Sequence, residues 1–273
     1  MINIEDSVNK FIMQSNPLNT IQTLEILSKL EKYRQLDLKR ISDKELFKLT
    51  LETVPMCTIS YRCYRSGTKL YRVREYLGSE FTKLSELLYV PSKFVRTRGR
   101  VNNIGESILY VSLDPVTPFH EVKATVGKSY CVITYEIRED EQIQVSTIGK
   151  NSYSMLNNLN AQGEINSKII DQFFYTEFTK DVGKGTEYLY RTSTTLAKNF
   201  FDIPKSDGYE YPSVAVNRNI NLAIKPESVD KKIKVVSVEN ITINSITDKK
   251  IEFDTISIAT YITDDGDVIY YKK

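Results

Sequence analysis

The sequence predicts an α+β fold built on mainly antiparallel strands, and three observations predict it. Segments that alternate with period two lie among amphipathic segments with period 3.6, without the regular strand–helix–strand order of a parallel sheet. The C-terminal part is a run of short β-rich stretches, with Asp264-Asp265-Gly266-Asp267 as a hairpin signal. With 41% hydrophobic and 26% charged residues in 273, the chain can bury a real core, so disorder is not expected.

Residues 1 to about 56 read as a helical extension. Ile21, Leu24, Leu27 and Leu30 recur at helical spacing, and Ser42-Asp43-Lys44-Glu45 is a capping-box pattern ahead of Leu46 and Phe47. From residue 57 to 273 we expect one domain. Thr58–Tyr64 and Lys69–Val73 alternate, with a turn at Ser66-Gly67. A helix is expected from about Ser79 to Leu88, and a buried strand from Ser107 to Leu113. Asp114-Pro115 then starts a helix carrying Phe119, Glu121 and Val122. Tyr130 to Ile137 reads as a strand, and about 152 to 201 as mostly helical. Asp207-Gly208 reads as a turn leading into a strand over Tyr209–Val216. The tail reads as separate short strands over 233–238, 241–243, 251–253, 256–261 and 268–271.

Composition excludes several classes. The 37 basic and 35 acidic residues leave a formal charge of +2, too small to argue for nucleic acid or an anionic membrane. The basic stretch Lys93–Arg100 reads as a solvated loop or as a site for a phosphate-bearing ligand. Cys57, Cys63 and Cys131 have no CxxC spacing, so buried free thiols are expected. His120 is the one histidine, which argues against zinc and against Ser-His or Cys-His catalysis. The first residues show no secretory signal, and no apolar run is long enough to span a bilayer, so a cytoplasmic location is expected. Neither GxGxxG nor GxxxxGK[ST] is present, which removes the Rossmann and P-loop readings.

The motifs that carry chemistry lie between residues 66 and 228. Arg98-Gly99-Arg100-Val101-Asn102-Asn103-Ile104-Gly105 leads into a strand with Tyr110 and on to Glu121. Asp207-Gly208-Tyr209-Glu210-Tyr211-Pro212-Ser213 precedes Asn221-Leu222-Ala223, and Leu70-Tyr71-Arg72 stands ahead of both. This set resembles the RES domain family, known for NAD-degrading toxins of RES–Xre toxin–antitoxin systems. The family's Arg, Glu and Ser fall on Arg100, Glu121 and Ser213.

The resemblance implies an ADP-ribosyltransferase-like fold, with a mixed, mainly antiparallel split sheet, flanking helices and the N-terminal helical extension outside the matched region. It implies that NAD is the substrate, cleaved at the nicotinamide–ribose bond by phosphorolysis or hydrolysis, with inorganic phosphate as a candidate co-substrate and no metal. A protein ADP-ribosyltransferase and a non-catalytic NAD-binding module remain the alternatives. An Xre-type antitoxin or other regulatory protein is the implied partner, and a homo-oligomer is left open. Direct contact with nucleic acid or membrane is not expected.

The residue types suit that chemistry. Guanidinium groups bind phosphate in bidentate fashion, which makes Arg72 and Arg100 candidates for the diphosphate. Breaking an N-glycosidic bond develops positive charge on the sugar, which a carboxylate such as Glu121 stabilises. Tyr110 could stack on nicotinamide, Ser213 could orient a polar group, and Asn221 is a further polar candidate. Taken singly, each has a plain structural role: Glu121 a surface helix residue, Arg100 a loop charge, Arg72 a strand-surface charge, Tyr110 a core ring, Ser213 a turn hydroxyl. The pattern as a whole is what favours function.

Overall fold

The computed structural model describes residues 16–54, 59–149, 159–216 and 219–272. Cys57 and the first fifteen residues lie outside them, as do parts of the segments expected near 56 and 152. In chain order the elements begin with helices α1 (Pro17–Thr20), α2 (Thr23–Arg34) and α3 (Asp43–Thr53). Strands β1 (Tyr61–Arg65) and β2 (Lys69–Glu75), helix α4 (Leu84–Leu87), β3 (Leu109–Ser112) and helix α5 (Thr117–Glu121) follow. Next come β4 (Ser129–Ile137), β5 (Gln142–Thr147), helix α6 (Ala161–Phe178) and helix α7 (Tyr190–Leu196), which runs into a π-helical turn, Ala197–Phe201. The chain ends with β6 (Gly208–Pro212), β7 (Ile220–Ile224), helix α8 (Pro226–Lys232), β8 (Ile233–Ile246), β9 (Ile251–Ile262) and β10 (Val268–Lys272).

Two compact units result. The first joins residues 1–61, 97–103 and 146–204, and the second joins 62–96, 104–145 and 205–273. The N-terminal helices therefore share a unit with α6 and α7.

In the helical unit, α2 buries Ile26, Leu30 and Tyr33, an i, i+4, i+7 stripe. Leu24 and Leu27, expected on the buried face, are 79% and 43% exposed: a strict period of three drifts around a helix that turns every 3.6 residues. Ser42 does cap α3, its hydroxyl accepting from the Glu45 N–H at 3.1 Å. The core is aromatic. Tyr33 meets Phe173 edge to face at 5.5 Å, and Phe174 meets Phe201 at 5.2 Å. Buried Asn166 donates to the carbonyls of Leu18 and Ile21 and accepts from Thr23, so one amide satisfies the end of α1 and the start of α2.

The second unit is built on a large sheet with strand order β1-β5-β6-β7-β3-β2-β4-β8-β9-β10. The pairs β2–β3, β2–β4, β3–β7, β4–β8, β6–β7, β8–β9 and β9–β10 are antiparallel. The α+β, mainly antiparallel expectation holds. Strands β1 and β2, joined by the Ser66-Gly67 turn, are not neighbours and form no hairpin. The sheet has a seam: β3 and β2 are paired at Tyr71 and Ser112 alone, whereas β2 and β4 pair along seven consecutive residues from Lys69 to Glu75. One half is β1-β5-β6-β7-β3 and the other β2-β4-β8-β9-β10.

Strand alternation assigns the faces. Leu70, Leu109, Val111, Ile133, Tyr135, Leu222 and Ile224 form the larger core with Leu87 of α4 and Val229 of α8. Val73, Tyr130, Ile241 and Ile243 form a smaller core on the other face with Phe119 of α5. Cys131 is buried, whereas Cys63 is exposed, contrary to the expectation of buried thiols. Among the described residues no helix is long and apolar enough to cross a membrane.

Asp207-Gly208 is not a free-standing turn. Gly208 opens β6, and a Cβ there would lie 2.0 Å from the Ala223 carbonyl oxygen, so the close approach of β7 requires glycine. Asp207 is buried: its carboxylate accepts from the Gln144 N–H, the Ser228 hydroxyl and the Lys232 ammonium.

Candidate functional site

Helix α5 is the short element that carries Glu121, and its position is fixed from both ends. At its start, Asp114 Oδ1 accepts from the N–H groups of Val116 and Thr117, each at 2.9 Å, and from the Thr117 hydroxyl. Thr117 Oγ1 in turn accepts from the Asn219 amide at 2.6 Å, which ties the helix to the approach to β7. Past its end, Lys123 takes a left-handed conformation with φ of 50°, and the Ala124 N–H closes on the Phe119 carbonyl. Phe119 packs edge to face with Tyr130 at 6.3 Å.

The Glu121 carboxylate is held by two buried donors. The Ser213 hydroxyl donates to Oε1 at 2.6 Å, and Asn221 Nδ2 donates to the same oxygen at 2.6 Å. Ser213 and Asn221 are only 3% and 5% exposed, whereas Glu121 itself is exposed. Oε2 accepts no hydrogen bond among the described residues. One oxygen is thus anchored, and the other is unengaged among the described residues.

Each donor is positioned in turn. Ser213 Oγ accepts from the N–H groups of Ala215 and Val216 at 3.2 and 3.1 Å, so its remaining hydrogen is directed at Glu121. Its own N–H donates to the Asn219 carbonyl at 2.8 Å. Asn221 Oδ1 accepts from the Ser112 hydroxyl at 2.5 Å, which orients the amide so that its NH2 faces the carboxylate. Ser112, Asn221 and Glu121 therefore form one hydrogen-bonded chain, and Ser112 is the residue at the seam.

Tyr110 lies two residues before Ser112 on β3 and opposite Ala223, so it shares the face of Ser112 and Asn221. Its ring sits edge to face with Tyr211, 6.4 Å between centroids. Arg72 lies on the other face. It alternates with Tyr71, whose register partner is Ser112, and its Nη1 donates to the Leu88 carbonyl at 2.5 Å. Arg100 belongs to the helical unit. It is 9% exposed, and its guanidinium donates to the Phe178 and Lys180 carbonyls at 2.6 and 3.1 Å over the Tyr190 ring. It satisfies the last carbonyl of α6, that of Phe178, and the Lys180 carbonyl just beyond the helix.

The structure thus brings together Glu121, Ser213 and Asn221, with Tyr110 on the same face, and holds Arg72 and Arg100 on main-chain carbonyls. Ser112, Thr117 and Asn219 were not among the residues singled out from sequence. Asp114-x-x-Thr117 is a readable turn signal for the helix start. Ser112 and Asn219 carry no signal beyond their place in or next to a strand. Among the described residues no group of three or more His, Cys, Asp or Glu could hold a metal ion. Compared with known proteins, the chain matches no family model and no curated sequence.

Proposed function

We propose that the second unit carries an NAD-consuming site of the RES type, in which Glu121 promotes cleavage of the nicotinamide–ribose bond. The observation that carries this reading is the Glu121 carboxylate itself: exposed, with Oε1 fixed by Ser213 and Asn221 and Oε2 unengaged among the described residues. A carboxylate so fixed needs little reorganisation to face a developing cation. The antiparallel sheet with its one-residue seam supports an ADP-ribosyltransferase-like arrangement, in which a split sheet opens beside the catalytic glutamate.

In the proposed reaction the C1′–N bond breaks, and its electron pair leaves with nicotinamide as a neutral ring. Positive charge develops on the ribose and is stabilised by Glu121 Oε2. An oxygen of water or of inorganic phosphate then bonds to C1′, and with water a proton is released to solvent. Tyr110, half-buried on the face of Ser112 and Asn221, is the candidate for contact with the nicotinamide or ribose. Arg72 and Arg100 act in this reading as structural groups.

The test is incubation of the full chain with NAD, with and without inorganic phosphate, followed by quantification of nicotinamide and of the ribosyl product. Nicotinamide release that is lost in Glu121→Gln supports the site. Release that persists in Glu121→Gln removes Glu121 from the chemistry, and no release from the parent protein removes the activity. Labelled NAD that marks protein instead of yielding a free product would assign transfer to a protein acceptor.

A further inference from the structure

Two residues meet at the seam, and the hydrogen-bonded chain to Glu121 uses one of them. Ser112 donates to Asn221, which donates to Glu121. Tyr71 stands opposite Ser112 on β2 and is half-buried. Among the described residues its side chain makes no hydrogen bond and no ring contact. A tyrosine so placed keeps both its ring faces and its hydroxyl for another group.

Strand register sets Tyr71 beside Tyr110. Tyr110 lies two residues before Ser112 and shares its face, and Tyr71, the register partner of Ser112, shares it too. Tyr71 and Tyr110 are therefore diagonal neighbours across the seam, a relation that sets side chains roughly 7–8 Å apart in an antiparallel pair. Ser112, the residue between them, is small. Tyr110 is braced from the far side, where its ring meets Tyr211 edge to face at 6.4 Å; β6 and β2 lie on opposite sides of β3 in the sheet. Helix α5 packs against both β2 and β3, and it carries Glu121 to the same place.

That spacing admits a flat ring. A planar heterocycle stacked between two rings needs about 3.5–4.0 Å on either side, the ordinary separation of carbon atoms in contact. In the proposed reaction the group that leaves beside the carboxylate is nicotinamide. Its ring is a pyridinium cation while bonded to ribose and is neutral once released. A cation over a tyrosine face is attracted by the ring quadrupole, and a neutral ring loses that attraction.

We infer that Tyr71 is a substrate-binding residue that works with Tyr110, the two rings gripping the flat cationic ring of an N-glycoside from its two faces. The ligand is then held by both halves of the sheet, Tyr71 on β2 and Tyr110 on β3. The inference rests on the NAD reading for the identity of the ring; the grip itself requires only the two tyrosines and a flat cation.

The experiment titrates the full chain with nicotinamide methylated on its ring nitrogen, a permanent cation, and with neutral nicotinamide, followed by calorimetry and by the ligand's proton NMR signals. The methylated ring should bind saturably and at least about threefold tighter than the neutral one. Its ring protons should move upfield on binding, as protons above aromatic faces do. Tyr71→Leu should weaken this binding at least about threefold and shrink the upfield shift, whereas Tyr71→Phe, which keeps the ring, should leave both as in the parent. No saturable binding of the methylated ring overturns the inference, as does full affinity in Tyr71→Leu. The two readings separate cleanly. Tyr71-dependent binding in a protein that releases no nicotinamide from NAD keeps the grip and removes the activity. Release from NAD with an unchanged KM in Tyr71→Leu keeps the activity and removes the grip. Tyr71→Val, with a strand-favouring side chain, takes the place of Tyr71→Leu if that variant does not fold.

Discussion

Replacing Asn221 with Asp changes one atom of the chain that holds Glu121. The Nδ2 donor, 2.6 Å from Glu121 Oε1, becomes a carboxylate oxygen, while the oxygen facing Ser112 is kept. Above neutral pH, two carboxylates then face each other where a hydrogen bond had been. Two unit charges about 4 Å apart repel by about 4 kcal/mol at an effective dielectric of 20 and about 1 kcal/mol in water. Asn221 is 5% exposed and Glu121 is exposed, so the penalty falls between these limits, about 1–3 kcal/mol. The sign of its pH dependence follows. The folded pair binds a proton more tightly than the unfolded chain, so the penalty is full above the pair's raised pKa and shrinks as pH falls toward about 4, where a protonated Asp can again donate to Glu121. Urea unfolding of parent and variant from pH 4 to 8 is the assay. The difference in unfolding free energy should grow with pH and then level off. A difference that is flat across this range would refute the direct contact. Nicotinamide release, if the proposed activity is present, should fall with the same pH trend.

Other outcomes follow from the same geometry. Asp207→Asn should lower stability by about 2–4 kcal/mol in urea unfolding, because the Lys232 ammonium, on a side chain 19% exposed, loses its counter-charge and the new buried amide turns a donor toward existing donors; an unchanged midpoint would show that this network is not needed. Lys123→Gly should raise stability by about 0.5–1 kcal/mol by relieving the left-handed conformation at φ of 50°, and a clear loss in the same assay would count against it. Burial pushes the Tyr33 and Tyr135 hydroxyls and the Cys131 thiol each up to about 12. These groups stay protonated in the fold where the unfolded chain ionises, so their stabilisation is complete below about pH 9 and is lost as pH rises through about 12. Circular dichroism with tyrosinate absorbance should show cooperative alkaline unfolding in that window; complete ionisation of all 18 tyrosines near pH 10 without unfolding would contradict the burial of Tyr33 and Tyr135.

Much of the order of strands and helices was legible in the alternation and caps, but strand β5 (Gln142–Thr147) and helix α8 (Pro226–Lys232) were not read from the sequence, and neither was the strand pairing. The segments 233–238 and 241–243 read as two strands, yet they are one, β8. A register shift at Asn240/Ile241 interrupts the side-chain alternation while the ladder continues. The same holds for β9. At the site, the residue types around Glu121 were legible because the motif placed Glu, Ser and Asn on separate elements that the fold then joined. The arginines were not, because a motif gives a residue type and not a direction. That Leu70 and Arg72 share one face of β2 can be read from spacing. That this face lies opposite Ser112 depends on the Tyr71–Ser112 register, which local sequence does not specify.

The seam gives the carboxylate a mechanical property. Helix α5 rests on one half of the sheet, where Phe119 packs with Val73, Tyr130 and Ile241. The donors that hold Glu121 belong to the other half, Asn221 on β7 and Ser213 just past β6. A shear of the two halves, resisted in the sheet by the single Tyr71–Ser112 pairing, would load the three 2.6 Å bonds that tie α5 to the other half, Ser213 and Asn221 to Glu121 and Asn219 to Thr117. Glu121 thus spans the seam, its carboxylate bonded to residues of one half and its helix packed on the other.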